Sequence, residues 1–170
     1  MFSYFYPDLY VSSVFKIPYK QLKEKHIDTL FFDVDNTLLP HGELAPTPEL
    51  VKLFKKLKSM DFKICFVSNG QPSRVARFTK EMPSVLGNFS FSLKPLGFGV
   101  GRARVLTNSL PEQIAIIGDQ IFTDVLVGKR KKFFTVLVKP QTNSDIWLVA
   151  AKRGAERVVL AEYKKHKRRV

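Results

Sequence analysis

The sequence predicts an α/β fold in three layers, with a mainly parallel sheet covered by helices on both faces. Three observations carry that expectation. Short runs rich in apolar, β-branched and aromatic residues alternate with helical patterns along the chain. Three of these runs end in Asp or Ser, as strands do when they deliver polar loops to one edge of a parallel sheet. The chain has 170 residues and 45% hydrophobic content, enough for a substantial core in one domain spanning 1–170.

The elements follow in order. An aromatic N-terminal segment (Phe2, Tyr4, Phe5, Tyr6, Tyr10, Phe15) is expected to pack over an edge or face of the sheet; the other reading is an interfacial anchor at lipid headgroup depth. The first strand is expected over Thr29–Asp33, followed by a loop with Pro40, Gly42 and Pro46. Thr47-Pro48-Glu49 is a helix start, with a capping hydroxyl and then proline at the first helical position. Leu50, Phe54 and Leu57 fall on one face of that helix, with lysines opposite. Asp61 precedes a second strand within Phe62–Gly70. Pro72-Ser73 opens a helix carrying Val75, Ala76 and Phe78. Phe89–Leu93 is a short strand candidate leading to Lys94. The glycines at 97, 99 and 101 lack the full dinucleotide-loop pattern and a supporting acid, so they are expected to form a flexible entry to a helix through Ala103, Val105 and Leu106. Gln113–Ile117 is the next strand, and a helix is expected from Asp119 through Val127. Phe133–Val138 is a further strand, Asp145 to Arg153 a further helix, and the basic tail from Tyr163 is expected to be poorly ordered.

Chemistry concentrates where the strands end. In Phe31-Phe32-Asp33-Val34-Asp35-Asn36-Thr37-Leu38 two carboxylates stand two residues apart. Close like charges are costly unless a cation or a shared proton relieves them. Only oxygen ligands are on offer, which suits Mg²⁺; the plain structural reading is a strand running into an acidic turn. Ser68-Asn69-Gly70 closes the second run, where a hydroxyl beside backbone N–H groups could hold a phosphate oxygen, or simply cap a helix. Lys94, before Pro95, is biased away from helical geometry and could neutralise a transferring phosphoryl group; alone it reads as a solvated loop lysine. Gly118-Asp119 closes the third run. Asp119 is placed to complete a metal site, and Asp124 to orient the lysine or a metal-bound water; the plain alternative is a helix cap followed by a surface acid.

Together these residues resemble the signatures of the haloacid-dehalogenase-like (HAD) phosphatases: Asp-x-Asp-x-Thr at Asp33, Asp35 and Thr37, then Ser68, then Lys94, then Asp119 and Asp124 in an acidic loop. The match spans roughly Asp28 to Pro140. Asp-Val-Asp-Asn-Thr-Leu, Val-Ser-Asn-Gly and Lys-Pro-Leu-Gly-Phe-Gly resemble more narrowly the YqeG-like branch of subfamily IIIA, itself similar to mitochondrial phosphatidylglycerophosphate phosphatases. The resemblance implies a Rossmann-like HAD core, and the short intervals between motifs leave no room for a cap domain. It also implies a Mg²⁺-dependent phosphomonoesterase. Asp33 would be the nucleophile, Asp35 the general acid and base, and Lys94 the charge-neutralising residue. Ser68, Asn69 and Lys94 would bind the substrate phosphate; Asp33, the Asp35 backbone carbonyl and Asp119 would hold Mg²⁺; Thr37 and Asp124 would support them. The substrate it suggests is phosphatidylglycerophosphate, with a nucleotide, sugar phosphate, phosphoprotein or nucleic-acid end as alternatives.

Composition bounds the partners. The formal charge is +13. Lys129-Arg130-Lys131-Lys132 and the segment from Lys152 to Val170 together carry +10 of it. These patches suit an anionic membrane surface, RNA or a polyanionic substrate, or serve only as solvated faces; no RNA-binding motif supports nucleic acid. A binding module with secondary phosphatase activity is the competing reading. The single cysteine, Cys65, lies in an apolar run and excludes a disulfide framework. His26, His41 and His166 lack zinc-ligand spacing. No apolar stretch matches a membrane span and no secretory signal is visible. The expected location is cytoplasmic, peripheral to the inner face of the membrane if the basic patches bind lipid.

Overall fold

A computed structural model describes residues 3–40, 43, 45–90, 92, 94, 96–142 and 147–167, with the backbone alone for 147–153. The expected contributions of Phe2, His41, Gly42, Pro95, Asp145 and Ile146 lie outside the described residues. Six strands form one parallel sheet: β1 (Leu9–Val11), β2 (Thr29–Phe32), β3 (Lys63–Val67), β4 (Val85–Phe89), β5 (Ile114–Gly118) and β6 (Phe134–Val138), in the order β1-β6-β5-β2-β3-β4. Six α-helices accompany them: α1 (Tyr19–Glu24), α2 (Pro48–Ser59), α3 (Pro72–Glu81), α4 (Phe98–Thr107), α5 (Leu126–Lys131) and α6 (Trp147–Lys167).

The two-residue side-chain period of a strand divides the core. Leu30 and Phe32 of β2 face the layer of α1, α2 and α3, where they cluster with Leu22, Leu50, Phe54 and Phe78. Phe31 faces the other layer, with Val100 and Ala103 of α4 and Val127 of α5. α2 starts where the sequence says it should: Thr47 Oγ1 accepts a hydrogen bond from the Leu50 N–H at 3.3 Å, and Pro48 follows the cap.

Register places the site. β2 lies between β3 and β5, and Phe32 is level with both Phe66 and Ile117. The chain winds outward from β2 through β3 to β4, then crosses back to β5 on the other side of β2. The strand order therefore reverses at β2, and ligand clefts of parallel sheets open at such a point. The residues just past β2, β3 and β5 are Asp33, Ser68 and Asp119. No cap domain stands among the described residues: α2 fills the interval between β2 and β3, and α3 with β4 fills that between β3 and Lys94.

The structure departs from expectation in four places. β1 and α1 were not anticipated; a three-residue strand has too little periodicity to read, and β1 exists because it pairs with β6. The strand expected over Phe89–Leu93 lies earlier, at Val85–Phe89, where Gly87 and Asn88 dilute the β-forming pattern; Phe91 and Leu93 lie outside the described residues. The segment after Asp119 opens as a π-turn over Ile121–Val125 before α5 begins. The tail from Tyr163 is not loose: α6 continues to Lys167, and Tyr163 is buried with its ring edge-on to Tyr6. An apolar anchor inside a basic sequence hid that continuation. The strands expected over Thr29–Asp33, Gln113–Ile117 and Phe133–Val138 agree within one residue, a normal spread at element ends, and β3 lies inside Phe62–Gly70.

Candidate active site

Lys94 joins two buried carboxylates. Its Nζ donates to Asp33 Oδ1 and to Asp124 Oδ1, each at 2.6 Å, and all three residues are buried. Burying an ammonium is tolerable only with such pairing. The lysine stays protonated: burial works against its charge, but Asp124 and Asp33 outweigh it and push its pKa up. Asp33 is pushed the other way from an ordinary carboxylate, up to about 7. Burial is the main cause; Lys94 pulls it down, and the neighbouring Asp124 and Asp119 carboxylates push it up again.

Asp33, Asp119 and Asp124 each present a carboxylate oxygen, and these atoms lie within 4.8 Å of one another. Thr37 Oγ1 sits 3.4 Å from both Asp33 Oδ2 and Asp119 Oδ1, long for a hydrogen bond to either. The three buried carboxylates form one cluster, and Lys94 pairs with two of them, Asp33 and Asp124. The cluster's donors are all oxygens, which fits a hard divalent cation.

Local backbone geometry makes these placements possible. Asn36 adopts a left-handed conformation (φ 60°), and its N–H donates to the Leu39 carbonyl at 2.7 Å, closing the loop after β2. Gln141 and Thr142, beyond β6, pin that loop through the Asn36 backbone carbonyl and side chain and through the Thr37 carbonyl. Asp124 folds back so closely over Gly118 that a Cβ there would lie 2.1 Å from its Cγ. The π-turn supplies that approach, and the Gln120 N–H donates to Asp124 Oδ2 at 3.2 Å.

Ser68 is buried, and its Oγ accepts from the Gly70 N–H at 3.0 Å, leaving the hydroxyl proton to donate elsewhere. The Asn69 side chain reaches the Lys94 backbone. It clamps the lysine loop, donating to the Lys94 carbonyl at 3.1 Å and accepting from the Lys94 N–H at 3.0 Å.

Asp35 stands apart from the other carboxylates. Its side chain accepts from Arg74 Nη1, and the same guanidinium donates from Nε and Nη2 to the Glu43 carbonyl at 3.3 and 2.9 Å. Arg74 was missed at the sequence level. An arginine in the first helical turn after Ser-Asn-Gly carries no motif signal, and its reach to Asp35 exists only because α3 starts beside the β2 loop.

A parallel sheet with Asp33, Ser68 and Asp119 just past the ends of β2, β3 and β5, and with Lys94 paired to Asp33, is a HAD-like fold. No family model matches the chain. A probable phosphatase, YqeG of Bacillus subtilis (strain 168), is 33% identical over 162 residues, covering 95% of this chain and 93% of that protein. The chain therefore belongs to the family of YqeG, a probable phosphatase. Solved structures share the fold at low identity. A HAD superfamily subfamily IIIA hydrolase from Legionella pneumophila aligns at TM-score 0.50 and 14% identity, over 86% of this chain and 96% of that one. A putative 3-deoxy-D-manno-octulosonate 8-phosphate phosphatase from Vibrio cholerae aligns at TM-score 0.54 and 16% identity, over 77% and 78%. No helix among the described residues is long and apolar enough to cross a membrane.

Proposed function

We propose that the protein is a Mg²⁺-dependent phosphomonoester hydrolase that works through an aspartyl-phosphate on Asp33. The carrying observation is the buried contact of Lys94 with both Asp33 and Asp124 at the end of the central strand. An Asp33 carboxylate oxygen attacks phosphorus, forming the acyl–phosphate bond as the P–O ester bond breaks. Asp35 delivers a proton to the departing alkoxide. In the second half, Asp35 takes a proton from water as the water oxygen bonds to phosphorus, and the acyl–phosphate bond breaks to release phosphate and the Asp33 carboxylate. Splitting the hydrolysis in two lowers the barrier of each step.

Lys94 balances negative charge on the phosphoryl group, and the Ser68 hydroxyl with nearby backbone N–H groups binds its oxygens. Asn69 serves by fixing the Lys94 backbone. Asp124 holds Nζ in place, Thr37 braces the carboxylates, and Arg74 fixes Asp35. Asp33 and Asp119, with the Asp35 backbone carbonyl, would hold Mg²⁺, and Asp124 borders the same cluster. The ion supplies offset of the repulsion between the Asp33 carboxylate and an incoming phosphate dianion.

The proposed substrate is phosphatidylglycerophosphate, giving phosphatidylglycerol. The motif resemblance, the capless cleft and the basic surface support it: an open cleft admits a phosphate on a large molecule. A cytoplasmic protein peripheral to an anionic membrane would meet such a substrate. The test is phosphate release from that lipid in mixed micelles with Mg²⁺, beside a panel of soluble phosphate esters, for wild type and Asp33→Asn. Asp33-dependent release from the lipid alone supports the assignment. Turnover of soluble esters only would overturn the substrate, and full activity in Asp33→Asn would overturn the covalent route.

A further inference from the structure

The outer face of α4 is apolar where a surface helix is ordinarily polar. Phe98 is 65% exposed, Val105 81% and Leu106 51%, and Leu110 just beyond the helix is 55% exposed. Phe98, Val105 and Leu106 border a shallow depression of about 600 Å³ whose other walls include Gly101, Arg102 and Lys131. Gly101 has no neighbouring atom within 4 Å of where a Cβ would stand, so the middle of the face is flat and open. Cations rim it: Arg102 lies over the Phe89 ring at 5.7 Å, Arg104 donates to the Ser109 carbonyl, and Lys131 lines the depressions on both sides of Val105. The sequence from Leu96 to Leu110 contains no acidic residue, and neither does Leu126–Lys132.

We infer that this face of α4 is an interfacial docking surface for an anionic lipid bilayer. Apolar side chains interleaved with long cationic ones suit the boundary between headgroups and acyl chains, where the rings and branched chains insert and the Arg and Lys heads stay among the phosphates. The charge pattern argues against a second copy of the chain. A two-fold contact would set Arg102, Arg104 and Lys131 against the same cations with no acid on the face to meet them. The location also has a consequence. The Gly99 N–H donates to the Ser92 carbonyl at 3.2 Å and the Ser92 N–H to the Ser68 carbonyl at 3.0 Å, so the Phe98 end of the face lies beside the end of β3. The basic patches supply attraction from a distance; the α4 face supplies the apolar insertion they lack. The inference deepens the membrane part of the proposed function but does not depend on the phosphatase chemistry or on a lipid substrate.

The test is flotation of the full chain with phosphatidylcholine vesicles, with and without phosphatidylglycerol, across a salt series. Wild type should float with the anionic vesicles only. Val105→Asp should weaken that partitioning about tenfold or more, and Arg102→Ala with Lys131→Ala should flatten its salt dependence. Turnover of a soluble phosphate ester, together with circular dichroism, checks that Val105→Asp is folded, and vesicle binding is read independently of turnover. Unchanged flotation of a folded Val105→Asp overturns the inference. So does a wild type that ignores vesicles yet sediments as a dimer that Val105→Asp dissociates, or one captured by an acidic protein instead.

Discussion

In the proposed mechanism Asp33 attacks phosphorus in its ionised form, yet the fold holds its carboxyl up to about 7, chiefly by burial. A carboxyl that binds its proton more tightly folded than unfolded contributes stability at low pH. That contribution is complete below its unfolded value near 4 and is lost as pH rises to about 7. In chelator, wild type should therefore lose stability across that window relative to Asp33→Asn, by a few kcal/mol at most because Lys94 offsets part of the cost. Urea unfolding of the two proteins at pH 5 and pH 8 reads the difference; equal pH dependence would show that Asp33 ionises normally. Arg74 makes a different kind of contribution. It touches Asp35 and the Glu43 carbonyl rather than the proposed reacting atoms, so Arg74→Ala should reduce kcat by as much as 100-fold through misplacement of the acid while KM changes little. A rise in KM at constant kcat would instead make Arg74 a substrate-binding residue.

At the scale of elements, the site depends on two local deformations that no helix or strand pattern announces. The π-turn over Ile121–Val125 carries Asp124 back over Gly118. Gly118→Ala would push a methyl into the Asp124 carboxyl group and the π-turn would have to shift. The expected result is loss of more than about 2 kcal/mol of stability, as in other overpacked cores, together with collapse of activity through Lys94. Denaturant unfolding and turnover of the same variant test both. A stable, active Gly118→Ala would mean the turn relaxes freely. The second deformation is the left-handed Asn36, which turns the loop after β2 so that Thr37 returns beside Asp33 and Asp119. Both regions were readable as motifs, because Asp-x-Asp-x-Thr and Gly-Asp are short-range patterns. Their shapes were not readable, since a π-turn and a left-handed Asn depend on which acid the turn has to present and on the neighbours it must meet.

For the whole molecule, the two chain ends meet. Tyr6 packs edge-on to Tyr163, Lys164 lies 5.3 Å over the Tyr10 ring, and Phe5 packs against Phe122 of the π-turn. The basic C-terminal segment is thus partly structural. Removing the residues after Glu162 should lower the unfolding free energy by about 2 kcal/mol, the scale of one buried aromatic side chain. A truncated protein with an unchanged melting curve would restore the reading of this segment as a detached basic tail. The +13 charge remains a property of the surface as a whole. In the Lys129 to Lys132 cluster at the end of α5, Lys129 pairs with Asp8 at 2.5 Å, and Arg130, Lys131 and Lys132 are exposed.

The amino-acid sequence by itself determined the class of fold, the order of its main strands and helices, and the acids, serine and lysine at the strand ends. These follow from local rules: hydrophobic period, turn chemistry and motifs a few residues long. Tertiary structure alone decided which groups meet. It joined Lys94 to Asp33 across 61 residues, and it set the Asn69 side chain against the Lys94 backbone. It brought Arg74 to Asp35, paired β1 with β6, and drew Tyr163 into the packing around Tyr6. Each of these depends on register and approach between segments distant in sequence, and burial then changes the energetics of the groups it brings together. No local pattern encodes that meeting, because its free energy exists only once the sheet has formed.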